Sequence, residues 1–233
     1  MGPPRGMSLM LITVAWLPAC GGGGGDDGMS PDAGIDASAE VTAAGLLDVI
    51  ASCTVLGGKY ASDDGLPATV DICSAPNAVF WKADLDIDCD GKMSTACNLL
   101  TDPAYQNQTA ATDSLGMPLD AATLPYVVLP SPSTRWSFRT SGLAMGSVIA
   151  VIYQDRVEYG VAGDTGPSAI IGEASYRMAE LLGIDPDPST GGADGGVAYI
   201  AFTGPDAEVM VTEDHAEAVQ IGVAHARALL GLP

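Results

Sequence analysis

The run Val148-Ile149-Ala150-Val151-Ile152-Tyr153, then Gln154-Asp155-Arg156, then Val157-Glu158-Tyr159-Gly160-Val161 reads as two strands joined by a tight connection. Val, Ile and Tyr suit a pleated, buried surface, and the polar triplet between them supplies a turn. Working outward, residues 78–82, 126–129, 197–202 and 209–212 share that composition, and most are bounded by Gly, Pro or Asp. Helical spacing appears only at the margins of this region. Ala43, Leu46, Leu47 and Ile50 follow the i, i+3, i+4, i+7 pattern. Ala174, Met178, Leu181 and Leu182 repeat the helical period just before Gly183, which would end that helix, and residues 216–230 form an Ala-rich helical stretch. Strands at the centre and helices at the edges predict an α+β fold with a β-rich, barrel-like core and a few flanking helices.

Composition narrows the functional classes. Hydrophobic residues make up 47% of the 233, enough for a sizeable core and too many for a disordered chain. Asp and Glu number 29 against 9 Lys and Arg, a net charge of −20, which excludes a nucleic-acid partner because phosphates would find no matching cations. No internal repeat is visible.

The first twenty residues read as an address. Arg5 precedes an apolar run over residues 7–17, too short for a spanning helix of about 20 apolar residues. Leu17-Pro18-Ala19-Cys20 resembles a bacterial lipoprotein box, which implies lipidation at Cys20. Gly21 to Gly25, Asp26 and Asp27 open a stretch without apolar periodicity, so residues 21–38 read as a flexible tether. The expected organisation is a signal peptide over 1–20, a tether over 21–38 and one domain over 39–233. The expected location is outside the cytoplasm, anchored by lipid to a bacterial membrane (the outer membrane or the cell surface). The lipid is the only membrane contact expected, and a monomer is expected. Cys53, Cys73, Cys89 and Cys97 remain, an even number in an exported chain, so disulfides are expected. Three pairings are open to four cysteines; Cys53–Cys73 with Cys89–Cys97 closes the shortest loops and is preferred. No Cys-x-x-Cys spacing points to zinc, and no cofactor is expected.

Two clusters of carboxylates stand out. In Ala83-Asp84-Leu85-Asp86-Ile87-Asp88-Cys89-Asp90-Gly91 the acidic side chains alternate, which on a strand puts them on one face. A calcium loop is one reading, although its twelfth position would need Glu and is Cys97. A solvated acidic surface is another, and the wall of a cleft for a cationic substrate a third. In the second cluster Asp164 follows a strand in a turn bracketed by Gly163 and Gly166, and Glu173 stands nine residues later at the start of a helix. Two carboxylates flanking a cleft suit glycoside hydrolysis, where one protonates the leaving oxygen and the other activates water or attacks the sugar. A turn Asp and a helix-start Glu are also favourable in themselves, so spacing leaves both readings open.

The ordered set of motifs does more. Residues 83–91, Asp102-Pro103 with Gln106 and Thr109, Pro125-Tyr126-Val127-Val128-Leu129-Pro130, Gly163-Asp164-Thr165-Gly166-Pro167 and Gly172-Glu173-Ala174-Ser175 together resemble fungal-type chitosanases of glycoside hydrolase family 75. The resemblance covers roughly residues 78–204. It implies endo-hydrolysis of chitosan with inversion, with Asp164 and Glu173 as the catalytic pair, leaning toward Glu173 as acid and Asp164 as base. Asp84, Asp86, Asp88, Asp90, Tyr159 and Thr165 are the candidate substrate-binding residues. The charge agrees, since a cationic polysaccharide would be drawn to an acidic protein. Two alternatives stay open, a peptidoglycan-cleaving envelope enzyme and a non-catalytic glycan-binding lipoprotein. The Cys20 reading is directly testable: Cys20→Ala should release the protein from the membrane fraction, and a variant that stays there as the parent does would refute lipidation.

Overall fold

A computed structural model describes residues 40–233; the expected signal segment, Cys20, the whole of the expected tether and its boundary lie outside the described residues. In chain order the elements are α1 (Ala43–Val49), β1 (Thr54–Val55), β2 (Cys73–Ala75), β3 (Ala78–Asp88), β4 (Tyr126–Pro130), β5 (Val148–Tyr153), β6 (Arg156–Gly166), β7 (Glu173–Ser175), α2 (Tyr176–Leu182), β8 (Ala193–Phe202) and α3 (His215–Leu229). Side chains cap each helix. The Thr42 hydroxyl accepts from Gly45 N, Ser175 Oγ from Met178 N and Asp214 from Glu217 N, each satisfying an amide that has no partner within the helix. Gly183, at φ 74°, ends α2 in the left-handed region. No described helix is long and apolar enough to cross a membrane.

Six strands close on themselves in the order β3-β7-β4-β6-β5-β8 and back to β3, while β2 and β1 continue from the first half of β3. Pairs β3–β7 and β4–β6 run parallel, and the other pairings in the ring are antiparallel. Alternate side chains from strands all around the ring, among them Trp81, Leu85, Val127, Ile149, Val151 and Tyr199, meet in one cluster that fills the barrel. Trp81 and Tyr199 stack there with ring centroids 5.1 Å apart. The complementary set, including Phe80, Ala150, Ile152, Ile200 and Phe202, packs outward with Leu46 of α1 and Ala218 and Ala226 of α3. Both faces of β5 are therefore buried, which is why its sequence is continuously apolar rather than alternating. Each of the larger aliphatic side chains and Phe among them contributes about 1.5–3 kcal/mol by leaving water, and the alanines less.

The α+β, β-rich, barrel-like reading holds, and four local expectations are corrected. Strand β3 runs on through Asp88, so most of the acidic row is part of the barrel. Asp164 lies inside β6 rather than in a turn. Glycines on this strand mark close crossings: a Cβ on Gly163, beside Asp164, would sit 2.6 Å from Tyr126 Cβ, and one on Gly160, four residues before it, 2.5 Å from Pro125 O. Glu173 opens β7, and α2 begins only at Tyr176. Residues 209–212 are not a strand. With β8 paired to both β3 and β5 the ring offers them no edge, so Glu208 makes one isolated bridge to Ser147 and Met210 is left 89% exposed.

Both expected disulfides are present. Cys53–Cys73 ties β2 to the segment before it, and Cys89–Cys97 closes the loop that leaves the end of β3. Loop-closure entropy gives roughly 2.5 kcal/mol for the bridge spanning 8 residues and roughly 3.3 kcal/mol for the one spanning 20. Replacing Cys89 and Cys97 together by Ser should lower the melting temperature by several degrees while the barrel's far-UV spectrum persists; an unchanged melt would show the loop to be held by other contacts.

Candidate active site

Strand β4 is the septum of the site. Val128 pairs with Glu173 on one side and with Asp164 on the other, and Glu173 pairs in turn with Asp86 of β3. Paired residues project from the same face of a sheet, so Asp86, Glu173, Val128 and Asp164 form one row across four adjacent strands. Two interstrand steps of about 4.7–4.9 Å separate the Asp164 and Glu173 backbones by about 10 Å. A bulge makes this alignment possible. Val127 pairs with Ala162 and Val128 with Asp164, leaving Gly163 as the extra residue that turns Asp164 outward.

The two carboxyls are held differently. Asp164 is 8% exposed, and its Oδ1 accepts from Ala110 N at 2.8 Å and Thr165 N at 2.6 Å. Burial raises its affinity for a proton, and those two amides oppose the rise. Glu173 has no hydrogen bond to its carboxyl among the described residues. Burial pushes it up to about 7, with repulsion from Asp86, Asp164, Asp90 and Asp63 adding to the shift. Gly166 lies directly against it: a Cβ there would sit 2.6 Å from Glu173 Oε2 and 3.2 Å from Val128 Cγ1.

A groove runs over this row. One lobe of about 280 Å³ is lined by Asp88, Asp90, Asp102, Asp164 and Glu173, with Gln106, Thr165 and Pro167 among its other walls. A second lobe of about 310 Å³ shares Asp90, Gln106, Asp164 and Thr165 and continues past Gln108 to Ala110. Backbone amides stiffen the acidic wall: Asp90 N donates to Asp88 Oδ1 at 2.6 Å, and Gln106 N to Asp90 Oδ1 at 2.7 Å. Asp90 is raised to about 6, chiefly by burial, with repulsion from Asp164 and Asp102 and relief from Gln106 N. Asp88 is pushed well above the usual carboxylate range, first by burial. Buried like charges of this number cannot all ionise together, so the groove holds protons near neutrality and attracts cations when it loses them.

The sequence-derived candidates separate in space. Asp164, Glu173, Asp88, Asp90 and Thr165 line the groove, and Asp86 stands exposed beside Glu173. Asp84 does not line it. Asp84 is 8% exposed, its Oδ1 is wedged against Gly172 without a hydrogen-bond partner, and burial raises its pKa to about 7. Tyr159 also lies elsewhere, buried under α3 where a Cβ on Gly222 would strike its ring. Among the described residues no group of three or more His, Cys, Asp or Glu is arranged to hold a metal ion. The amides of Ala110 and Gln106, which fix Asp164 and Asp90, went unseen in the sequence because a backbone donor leaves no trace in residue type. Asp102 and Gln106 were visible within a matched motif but carried no role by spacing alone.

Comparison with known proteins places this region in a family. The family described as fungal chitosanase of glycosyl hydrolase group 75 matches residues 85–224, which takes in the groove and reaches into α3. Endo-chitosanase B of Aspergillus oryzae is 39% identical over 131 residues, covering 53% of this chain and 55% of that protein. An endo-chitosanase of the same species is 35% identical over 162 residues, covering 65% and 66%. One of Aspergillus fumigatus is 32% identical over 145 residues, covering 57% and 61%. The chain thus spans about half to two thirds of the length of these curated relatives. With the family match covering more than half of its residues, the chain belongs to the fungal chitosanase family of glycosyl hydrolase group 75.

Proposed function

We propose that residues 39–233 form an endo-acting glycoside hydrolase that cleaves β-1,4 links of chitosan with inversion, and that Glu173 is its general acid and Asp164 its general base. The observation that carries this reading is the pairing of Val128 with both residues, which sets two unlike carboxyls on one face about two strands apart. Inversion needs roughly 6.5–9.5 Å between carboxyl groups to admit a water, against about 5–5.5 Å for retention, and backbones about 10 Å apart suit the wider gap. Glu173, raised to about 7, keeps its proton in mildly acidic water and passes it to the glycosidic oxygen as the C1–O bond breaks. Asp164, held by two amides, takes the proton of the water that attacks C1 from the opposite face, and the product is the α-anomer.

The remaining acidic residues give the substrate its sign. Chitosan carries ammonium groups in mild acid, and Asp88, Asp90 and Asp102 face the groove where such a chain would lie. Asp86, exposed beside Glu173, extends that field. Export and lipidation at Cys20 belong to the same reading, supported by residues 1–20 alone; such an anchor would leave the enzyme facing polymers outside the cell.

Asp164→Asn and Glu173→Gln keep size and remove the ionisable group, so each should cut kcat on chitosan by at least about 10²-fold without loss of fold. New reducing ends report turnover, and NMR of the first-formed anomer reports inversion; a near-normal rate in either variant would overturn the mechanism. Gly166→Ala would crowd the Glu173 carboxyl, so kcat should fall more than binding does. Rates should rise as Asp164 ionises and fall as pH passes about 7 and Glu173 loses its proton.

Stability should follow the same protons. Glu173 and Asp84 at about 7 and Asp90 at about 6 bind a proton more tightly folded than unfolded. Their contribution is full below about pH 4 and is lost as pH rises through about 6 to 7. Thermal melts should therefore drop between pH 5 and pH 8, and Asp84→Asn should flatten that slope; a melt that rises over this interval would contradict the burial of these groups.

A further inference from the structure

Beyond Gln106 and Gln108 the groove changes character. A third lobe of about 430 Å³ is lined by Met93, Leu99, Tyr105, Gln106, Asn107 and Gln108, and adjoins the second lobe through its two shared glutamines. Its volume falls in the roughly 300–1,000 Å³ range of small-ligand sites. The charge falls stepwise along the groove. Five carboxylates line the lobe at Glu173, only Asp90 and Asp164 line the next, and no charged side chain lines the third. Met93 and Leu99 are 67% and 64% exposed, an open apolar surface beside a strongly acidic one. Its walls are built rather than loose. The Cys89–Cys97 bridge closes the loop that carries Met93, Tyr105 OH donates to Gly91 O at 2.7 Å, and Gly91 N donates to Gln106 O at 2.8 Å.

We infer that this lobe is a distal subsite for an N-acetylated sugar residue of the same polymer, an inference that rests on the chitosan-cleaving reading above. An ammonium placed there would lose water without gaining a carboxylate, which is costly. An acetamido group meets neither difficulty. Its methyl can lie on Met93 and Leu99, and its amide can pair with side-chain amides of Gln106, Asn107 or Gln108, which offer both donors and acceptors. The groove would then select a chain pattern rather than a composition, with free amines over the acidic lobe and an acetylated residue at the apolar end.

The test uses the parent protein with Met93→Asp and Leu99→Asp, both at exposed positions, on fully deacetylated and on partly N-acetylated chitosan. Mass-spectrometric sequencing of the products then locates the acetyl groups. Parent products should carry acetylated residues at one fixed distance from the newly formed end, enriched by about fourfold, the weight of one buried methyl group. Either Asp variant should bring that position back to the polymer's average while still cutting the deacetylated substrate. Acetyl groups at their average frequency in the parent products, or enrichment unchanged in both variants, would overturn the subsite. Should the parent cut neither polymer, the proposed function fails by itself. The lobe is then read separately by methyl NMR, where a shift of the Met93 and Leu99 methyls on adding a tetrameric N-acetylglucosamine supports it and no shift overturns it.

Discussion

Backbone hydrogen bonding along both edges of one five-residue strand sets the geometry on which the site depends. β4 contributes Val128 to a ladder with β7 and, through its other edge, to a ladder with β6. In a closed ring no strand can slip in register without unpairing its neighbours on both sides. The backbone separation of Asp164 from Glu173 therefore follows from interstrand spacing. Glycines let the backbones come close enough: Gly163 where β6 bulges past Tyr126, and Gly166 where a side chain would meet the Glu173 carboxyl.

The electrostatics follow from how each carboxyl in the row is answered. Asp164 receives two amides, Asp90 receives Gln106 N, and Asp88 receives Asp90 N, so each has a partner that favours its charged form. Glu173 and Asp84 receive none from neighbouring groups, and burial raises both to about 7; at Asp88 burial outweighs the single donor and still pushes the carboxyl well above the usual range. Two carboxyls of one groove thus differ in proton affinity, because burial and like-charge repulsion act on Glu173 unrelieved while two backbone donors oppose the effect of burial at Asp164. The overall charge of −20 adds a long-range field of the same sign, screened by salt beyond about 10 Å at 0.1 M. The local differences in burial and hydrogen bonding therefore decide which group keeps its proton.

A good part of this was legible along the chain. The β5–β6 hairpin, the three helices and the two disulfides correspond to short-range signals: β-branched runs, helical apolar spacing and the shortest cysteine loops. The acidic row and the Asp164 and Glu173 motifs were visible as residue types in order, and the family match spans residues 85–224, which include both carboxyls. The local setting was misread where one residue serves two purposes. Glycines around Asp164 looked like turn residues because a turn and a close strand crossing both demand the absence of a side chain. Residues 209–212 have strand composition but meet a barrel that is already closed.

The sequence by itself determined the composition of the site and the elements that bear it, since residue chemistry and local periodicity act over a few neighbouring positions. Only the tertiary structure decided which carboxyls share the groove. Asp84 and Asp86 are two residues apart, yet one is wedged against Gly172 and the other is exposed beside Glu173. Tyr159 lies five residues before Asp164 and is covered by α3. Ala110 and Asp164 are 54 residues apart and share a hydrogen bond. Burial, ring closure and backbone donation bring distant segments together, and no pattern confined to neighbouring residues records where those segments meet.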